Sequence, residues 1–268
     1  MKILVPVKQV ARLREDFDAG AAAAAAAGDG AAELAADALE WAPNEWDAVS
    51  LEAALALSEG GEGETVVVSA GDERAEESLR AGLAMGADRA LRIWDEALSG
   101  ADALAIARVL AAVASAEMPD LILCGAQSSD AASAATGVAL AGLLDIAHVA
   151  VVEQIERDGE RLLVQRQLEG GAVELVSVGL PALLTVQSGI NAPRRPNLRA
   201  IKQARAASVT LLGLADVGLD AGAVAASAGS RTVGLTPRAR GGGATLLEGP
   251  PAEIAARIAA IVGEAMGA

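Results

Sequence analysis

Short β-branched runs alternate with amphipathic helical stretches through the first half of the chain, and this alternation limits the fold more than any other feature. Residues 2–7, 65–68, 90–93 and 121–124 are apolar runs of strand length. Between them, residues 47–57, 73–85 and 101–116 carry apolar side chains at helical spacing, as with Leu104, Ile106, Val109, Leu110 and Val113 in the third. Strand, helix and strand in succession predict right-handed crossovers and a parallel sheet with helices on both faces. Ligands of such sheets bind beyond the carboxyl ends of the strands.

After residue 144 the texture changes. Residues 149–155, 162–167 and 173–178 are strand-like and are joined by Arg157-Asp158-Gly159-Glu160 and by Glu169-Gly170-Gly171, both suited to hairpin turns. An antiparallel extension is therefore expected beside the parallel part, with a further strand over 182–186. Residues 189–196 hold Gly189, Pro193 and Pro196 and are expected to form an ordered loop. A helix is expected over 251–266, where Ile254, Ile258, Ile261 and Val262 line one face. Two readings stand for that stripe: it covers the domain, or it reaches a partner chain. Residues 19–32, with seven consecutive alanines over 21–27, form a variable surface excursion, either a frayed helix or a loop.

Composition excludes several classes. With 268 residues, 53% apolar and 21% charged, the chain is globular. Its mean hydropathy of +0.37 comes largely from alanine. The uncharged run 175–193 is interrupted by Gly179, Pro181, Gln187, Gly189 and Asn191, so no membrane span or insertion is expected. Residues 1–8 lack the small-residue cleavage site of a secretory signal, which makes the cytoplasm the expected location. A net charge of −15 opposes nucleic acid as a partner. Phe17, Trp41, Trp46 and Trp94 are the only aromatic side chains, so bases would find few stacking platforms. One cysteine and one histidine allow neither an internal disulfide nor a Cys/His zinc site.

Few residues offer bond chemistry. His148, set between Ala147 and Val149, reads as structural, and Cys124, at the end of a strand, reads as a small buried hydrophobe. Neither a Walker A pattern nor Gly-x-Gly-x-x-Gly follows a strand. Gly125-Ala126-Gln127-Ser128-Ser129-Asp130 runs through Ser133 to Thr136-Gly137, where an apolar helix begins. Such a loop can offer backbone N–H groups and hydroxyls to a phosphate; the alternative is plain helix capping by Ser129 or Asp130. A second feature is electrostatic. Residues 175–215 contain no Asp or Glu, while Arg194, Arg195, Arg199, Lys202 and Arg205 crowd around Leu198 and Ile201. This segment is either a solvated helix face or a docking surface for an acidic partner.

One stretch carries a family signature: Val164-Gln165-Arg166-Gln167-Leu168-Glu169-Gly170-Gly171-Ala172-Val173-Glu174-Leu175-Val176, then Pro181-Ala182-Leu183-Leu184-Thr185. Residues 2–10, the helix start over 44–54, Leu83-Ala84-Met85-Gly86-Ala87-Asp88-Arg89, and Asn191-Ala192-Pro193-Arg194 with Leu198 beyond it agree with the same pattern. Over nearly its whole length the chain resembles the electron transfer flavoprotein β-subunit family. The resemblance implies a parallel-sheet, adenine-nucleotide-binding, Rossmann-like α/β fold with an antiparallel hairpin extension and a C-terminal arm. It divides the chain into a nucleotide-binding domain over 1–188, a partner recognition loop and helix over 189–206, and an arm over 207–268 packed on the partner subunit.

The same resemblance implies a heterodimer whose α-subunit holds most of the FAD, with AMP in the β-subunit or, in an electron-bifurcating branch, a second FAD; AMP is the expectation here. The nucleotide site would use Pro6 and Ala70 through their backbone, Asn44, Glu45, Trp46 and Asp47, and the loop residues Gly125, Gln127, Ser128, Ser129, Asp130, Ser133, Thr136 and Gly137. Trp46 would lie against the flavin ring. Ala131-Ala132-Ser133-Ala134-Ala135 departs from relatives, which usually carry acidic residues there. Leu198 takes the position of the leucine that anchors in a dehydrogenase, and Arg194, Arg195, Arg199 and Lys202 would steer the encounter. The implied function is electron transfer from a flavin-dependent primary dehydrogenase to a downstream acceptor, with no bond-making chemistry in this subunit. The alternative is a nucleotide-binding sensor or stress-type protein of the same fold, which needs neither the signature nor the basic segment.

Overall fold

The computed structural model describes residues 1–14, 39–59, 63–231 and 244–267. The excursion expected over 19–32 lies outside the described residues. The described residues fall into two units, 1–231 and 244–267.

In the larger unit the chain opens with β1 (Lys2–Pro6), whose Ile3, Leu4 and Val5 are all but fully buried. Two strands then pair antiparallel apart from the main sheet, β2 (Gln9–Leu13) and β3 (Leu39–Pro43). Helix α1 (Glu45–Ser58) leads to β4 (Glu64–Ala70), α2 (Ala75–Met85) to β5 (Arg89–Ile93), and α3 (Ala103–Glu117) to β6 (Leu121–Gly125). Gly86 at φ 128° ends α2, and Asp102 starts α3 by accepting the Ala105 N–H at 2.9 Å. After α4 (Thr136–Leu144) come β7 (Ala147–Asp158), β8 (Arg161–Gln167), β9 (Val173–Gly179) and β10 (Ala182–Val186). The unit closes with α5 (Leu198–Ala206), β11 (Thr210–Leu212) and α6 (Ala221–Ala226).

The nine-stranded sheet runs β11-β5-β4-β1-β6-β10-β7-β8-β9. Every neighbouring pair from β11 to β7 is parallel, and β7, β8 and β9 form the antiparallel extension. Because alternate side chains leave a strand on opposite faces, each central strand feeds two cores. Ile3, Val5, Val67, Leu121 and Leu123 pack with Val49, Leu51 and Leu55 of α1 and Leu79 of α2. Leu4, Val66, Val68 and Ile122 pack with Val109, Leu110 and Val113 of α3 and Leu140 of α4. The result is the expected three-layer α/β fold with its extension. The pair β2–β3, strand β11 and helix α6 are elements the sequence reading did not contain.

The smaller unit contains α7 (Pro251–Met266), with the bounds expected for it and proline at its first position. Its Ile258, Ile261 and Val262 are each about half exposed, at 49%, 56% and 48%. Among the described residues no helix is long and apolar enough to cross a membrane.

Candidate functional site

Strand order reverses at β1: the chain proceeds to β4 and β5 on one side and to β6 and β10 on the other. The carboxyl ends of β1 and β6 therefore flank a switch point, where this class of sheet binds ligands. Pro6 ends β1, Ala70 ends β4 and Gly125 ends β6, and the N-terminus of α1 reaches the same place.

Asp47 organises this junction. It is buried, and the Lys8 N–H donates to its Oδ2 at 2.7 Å. Burial lifts its carboxyl from the ordinary 3.8 to about 7, although bonds from the Lys8 backbone, the Asn44 side chain and the Gly125 backbone, together with the Lys8 charge, all act against the rise. A β-carbon at Gly125 would strike Asp47 Oδ1 and stand 2.7 Å from Trp46 Cβ. Glycine is needed here because the start of α1 lies directly on the end of β6.

Asn44 occupies the N-cap position of α1 but caps nothing with its side chain. Instead its Nδ2 donates to Gln127 O at 3.0 Å and its Oδ1 accepts the Ser129 N–H at 3.2 Å, which ties the loop 126–135 to the helix. Lys8 reaches the same loop, with Nζ 2.7 Å from Asp130 Oδ1 and 3.4 Å from Ser128 Oγ. The loop then turns through Ala132 and Ala134 at φ 48° and 50°, a conformation that costs a non-glycine residue energy. Ser133 stands exposed between them. Thr136 opens α4, and Gly137 is held by packing, since a β-carbon there would be 2.8 Å from Thr185 Cγ2.

Ser129 and Asp130 do not cap α4, contrary to the simpler alternative in the sequence. The helix begins six residues beyond Asp130, behind Ala135, which has no capping side chain. Asp130 is engaged by Lys8 and by the Ala131 N–H at 2.6 Å. No side chain caps the N-terminus of α4, which Thr136 opens, and its first N–H groups are left without a side-chain acceptor. An anion is the ligand such a set of donors fits.

Trp46 is half-buried and donates its indole N–H to Gln187 Oε1 at 3.1 Å. Glu45 is exposed and pairs with Arg12 at 2.6 Å. Cys124 is buried as expected, and burial pushes its thiol well up, so it is no nucleophile. His148 is exposed at the start of β7 rather than packed among its apolar neighbours. Among the described residues no group of three or more His, Cys, Asp or Glu side chains could hold a metal.

Sequence reasoning missed Lys8 as a member of this site. Its signal was a lysine two residues beyond the end of the first strand. It also missed the bulge in β7, where Val151 sits at φ 61° and its N–H bonds Thr185 Oγ1 at 3.0 Å. Such backbone strain in a β-branched residue is a mark of functional regions.

The second predicted group lies on the segment before β11. Leu198 is the first residue of α5 and is 78% exposed, and Arg195, Arg199 and Lys202 are exposed around it. Arg194 differs from them. Its guanidinium is paired with Glu52 and Glu59 of the same chain, both at 2.8 Å.

A mostly parallel sheet with helices on both faces and an antiparallel extension defines a mixed α/β protein. The electron transfer flavoprotein domain family matches residues 17–217. The electron transfer flavoprotein subunit beta of Methylophilus methylotrophus is 42% identical over the full length of both chains. That of Bradyrhizobium diazoefficiens is 36% identical over 82% of this chain and 84% of its own. The caffeyl-CoA reductase-Etf complex subunit CarD of Acetobacterium woodii is 37% identical over 74% of this chain and 76% of its own. The chain belongs to the electron transfer flavoprotein family, as one of its β-subunits, and the reading as a stress-type sensor is not favoured.

Proposed function

We propose that this chain acts in the cytoplasm as the β-subunit of a heterodimer in which the α-subunit holds most of the FAD and the loop 126–135 of this chain holds AMP. FAD, when bound in the complex, supplies one- and two-electron transfer. The residues of this chain bind, orient and exclude water, as befits a subunit of an electron carrier.

The observation that carries the nucleotide assignment is the open N-terminus of α4, with a loop already pinned to α1 by Asn44. A phosphate there would meet the N–H groups of Gly137 and its neighbours, the Thr136, Ser133 and Ser128 hydroxyls, and the positive end of the helix. Backbone at Pro6 and Ala70 would flank the nucleoside. Trp46, at the entrance to α1, is the residue we assign to the flavin side of the site.

Segment 189–206 is read as the element that engages the primary dehydrogenase, with exposed Leu198 as its apolar anchor and Arg195, Arg199 and Lys202 as steering charges. The arm is expected over 207–268, but 207–231 joins the larger unit through β11 and α6, and only the part with α7 is read as packing on the α-subunit. The half-exposed stripe Ile258, Ile261 and Val262 of α7 suits that role.

Co-expression with the α-subunit of the same organism, followed by mass spectrometry of the denatured complex, tests this. One FAD and one AMP per heterodimer are expected. Two FAD, or no adenine nucleotide beyond one FAD, would overturn the AMP assignment, and a chain that remains a stable monomer beside its α-subunit would overturn the heterodimer.

A further inference from the structure

Polar bonds supply much of what holds the segment that presents Leu198. Ala204 is the only buried residue of α5. A groove of about 480 Å³ runs under the segment, between Leu83, Met85 and Asp88 at the end of α2 and Arg195, Asn197 and Gln203 above. Apolar packing holds the segment at Ile190 and Ala204, while Leu198 itself stays exposed.

Two arginines bind the segment at its ends. At the entry, Arg194 donates to Glu52 through its backbone N–H at 2.9 Å and through Nε and a terminal nitrogen at 2.8 Å each, and that terminal nitrogen also reaches Glu59 at 2.8 Å. Both acids lie at α1, and Asn191 Nδ2 adds a bond to Val49 O of the same helix at 3.0 Å. The arginine beside it holds the Glu52 carboxyl below the usual range. A planar guanidinium meeting a carboxylate with two parallel bonds fixes direction as well as distance.

At the exit, Arg80 of α2 turns one terminal nitrogen to three backbone oxygens, Ala204 O at 3.0 Å, Arg205 O at 3.0 Å and Ala207 O at 3.1 Å. Its other terminal nitrogen is held by Glu76 at 3.1 Å. These acceptors are the carbonyls that a helix leaves unpaired at its C-terminus, where a cation is also favoured by the helix dipole. Asn197 closes the opposite end of α5 by accepting the Ala200 N–H at 2.9 Å.

We propose that Arg194 and Arg80 are positioning residues that clamp the two ends of segment 189–206 to α1 and α2, so that Leu198 meets the dehydrogenase on a pre-set backbone. The proposal rests on the reading of this segment as the recognition element. It separates Arg194 from the cations with which it is clustered in sequence: Arg195, Arg199 and Lys202 form no ion pair among the described residues and are free to steer, whereas Arg194 spends its charge inside the chain. Pre-ordering the loop lowers the entropy lost on docking. Losing a clamp therefore weakens association and leaves the electron-transfer step untouched.

The test uses the intact heterodimer and the primary dehydrogenase isolated from the same cells by its ability to reduce the wild-type complex. In Arg194→Gln and Arg80→Gln, amide hydrogen exchange over 189–206 is expected to quicken about tenfold, the loss expected for a charge-assisted bond network. The KM for the complex should rise by a similar factor, with kcat and flavin content unchanged. The salt dependence of KM should stay as in wild type for Arg194→Gln and flatten for Arg199→Gln and Lys202→Gln. Leu198→Ala should raise KM with exchange unaltered.

Wild-type exchange in both arginine variants overturns the clamp. Faster exchange with an unchanged KM, while Leu198→Ala raises it, overturns positioning and leaves the recognition reading standing. An unchanged KM in Leu198→Ala overturns the recognition reading and the proposal with it. If Arg80→Gln loses flavin or fails to assemble, Arg80→Lys, which keeps the charge near Glu76, carries the same comparison.

Discussion

Asp47→Asn should change the pH dependence of stability, and the structure sets both sign and size. The Asp47 carboxyl is raised from 3.8 to about 7, chiefly by burial. Between those values the unfolded chain has released the proton and the folded chain still holds it, so stability from this group is complete below about pH 4 and is lost as pH rises through 7. At 1.36 kcal/mol per pH unit, the full rise of about three units corresponds to about 4 kcal/mol, and the part lost between pH 5 and 8 to about 3 kcal/mol. Asparagine cannot ionise, so this decline should vanish. Its amide replaces one carboxyl oxygen by an NH2 that only donates, so beside the N–H groups of Lys8 and Gly125 one donor is left unmet, at about 1–3 kcal/mol. The variant should melt below wild type at pH 5 and draw level with or exceed it at pH 8. For a chain of this size the change in the difference amounts to roughly 6–12 °C. Melting of the heterodimer at pH 5, 6, 7 and 8 and constant ionic strength measures it, because other titrating groups cancel in the comparison. A melting difference that is the same at all four pH values would refute the argument.

Gly125→Ala places a methyl group against Asp47 Oδ1 and 2.7 Å from Trp46 Cβ; overpacking of about 1–3 kcal/mol should lower the melting point by roughly 3–10 °C and reduce AMP retained in the purified complex. Trp46→Ala is expected to shift the visible spectrum and potential of the flavin, and an unchanged spectrum would assign the indole to packing over Gly125 alone. Leu198→Ala should slow reduction by the dehydrogenase at every ionic strength, by about 2 kcal/mol or more in binding; a normal rate, or a loss traced to missing flavin, would show that Leu198 is not the anchor.

Much of the fold was legible in the residues themselves. Strands of a doubly covered parallel sheet are apolar on both faces, so β1, β4, β5, β6 and β10 stand out as short apolar runs. The hairpin turns at Gly159 and Gly170 marked β7, β8 and β9 by their need for positive φ, 61° and 74° in the structure. The loop after β6 was visible because glycine and hydroxyls precede a helix. Strands β2 and β3 were not: they are only partly buried, mix charged with apolar residues, and pair Gln9–Leu13 with residues 39–43 across a long interval. Helix α6, at six residues, and β11, at three, are too short to carry a period.

What the sequence determined by itself is therefore the α/β layering, the hairpin extension and the family, since each depends on local periodicity or on a contiguous motif. Tertiary structure alone decided the roles of individual polar side chains. Asp47 becomes a buried carboxyl that titrates near neutrality only because β6 closes over the start of α1, and Asn44 leaves its cap position to hold a loop 83 to 85 residues further on. Arg194 lies in a basic cluster by sequence, and its partner Glu52 is 142 residues away. Charge and burial are set by neighbours in space, and no local pattern states which distant carboxylate an arginine will meet.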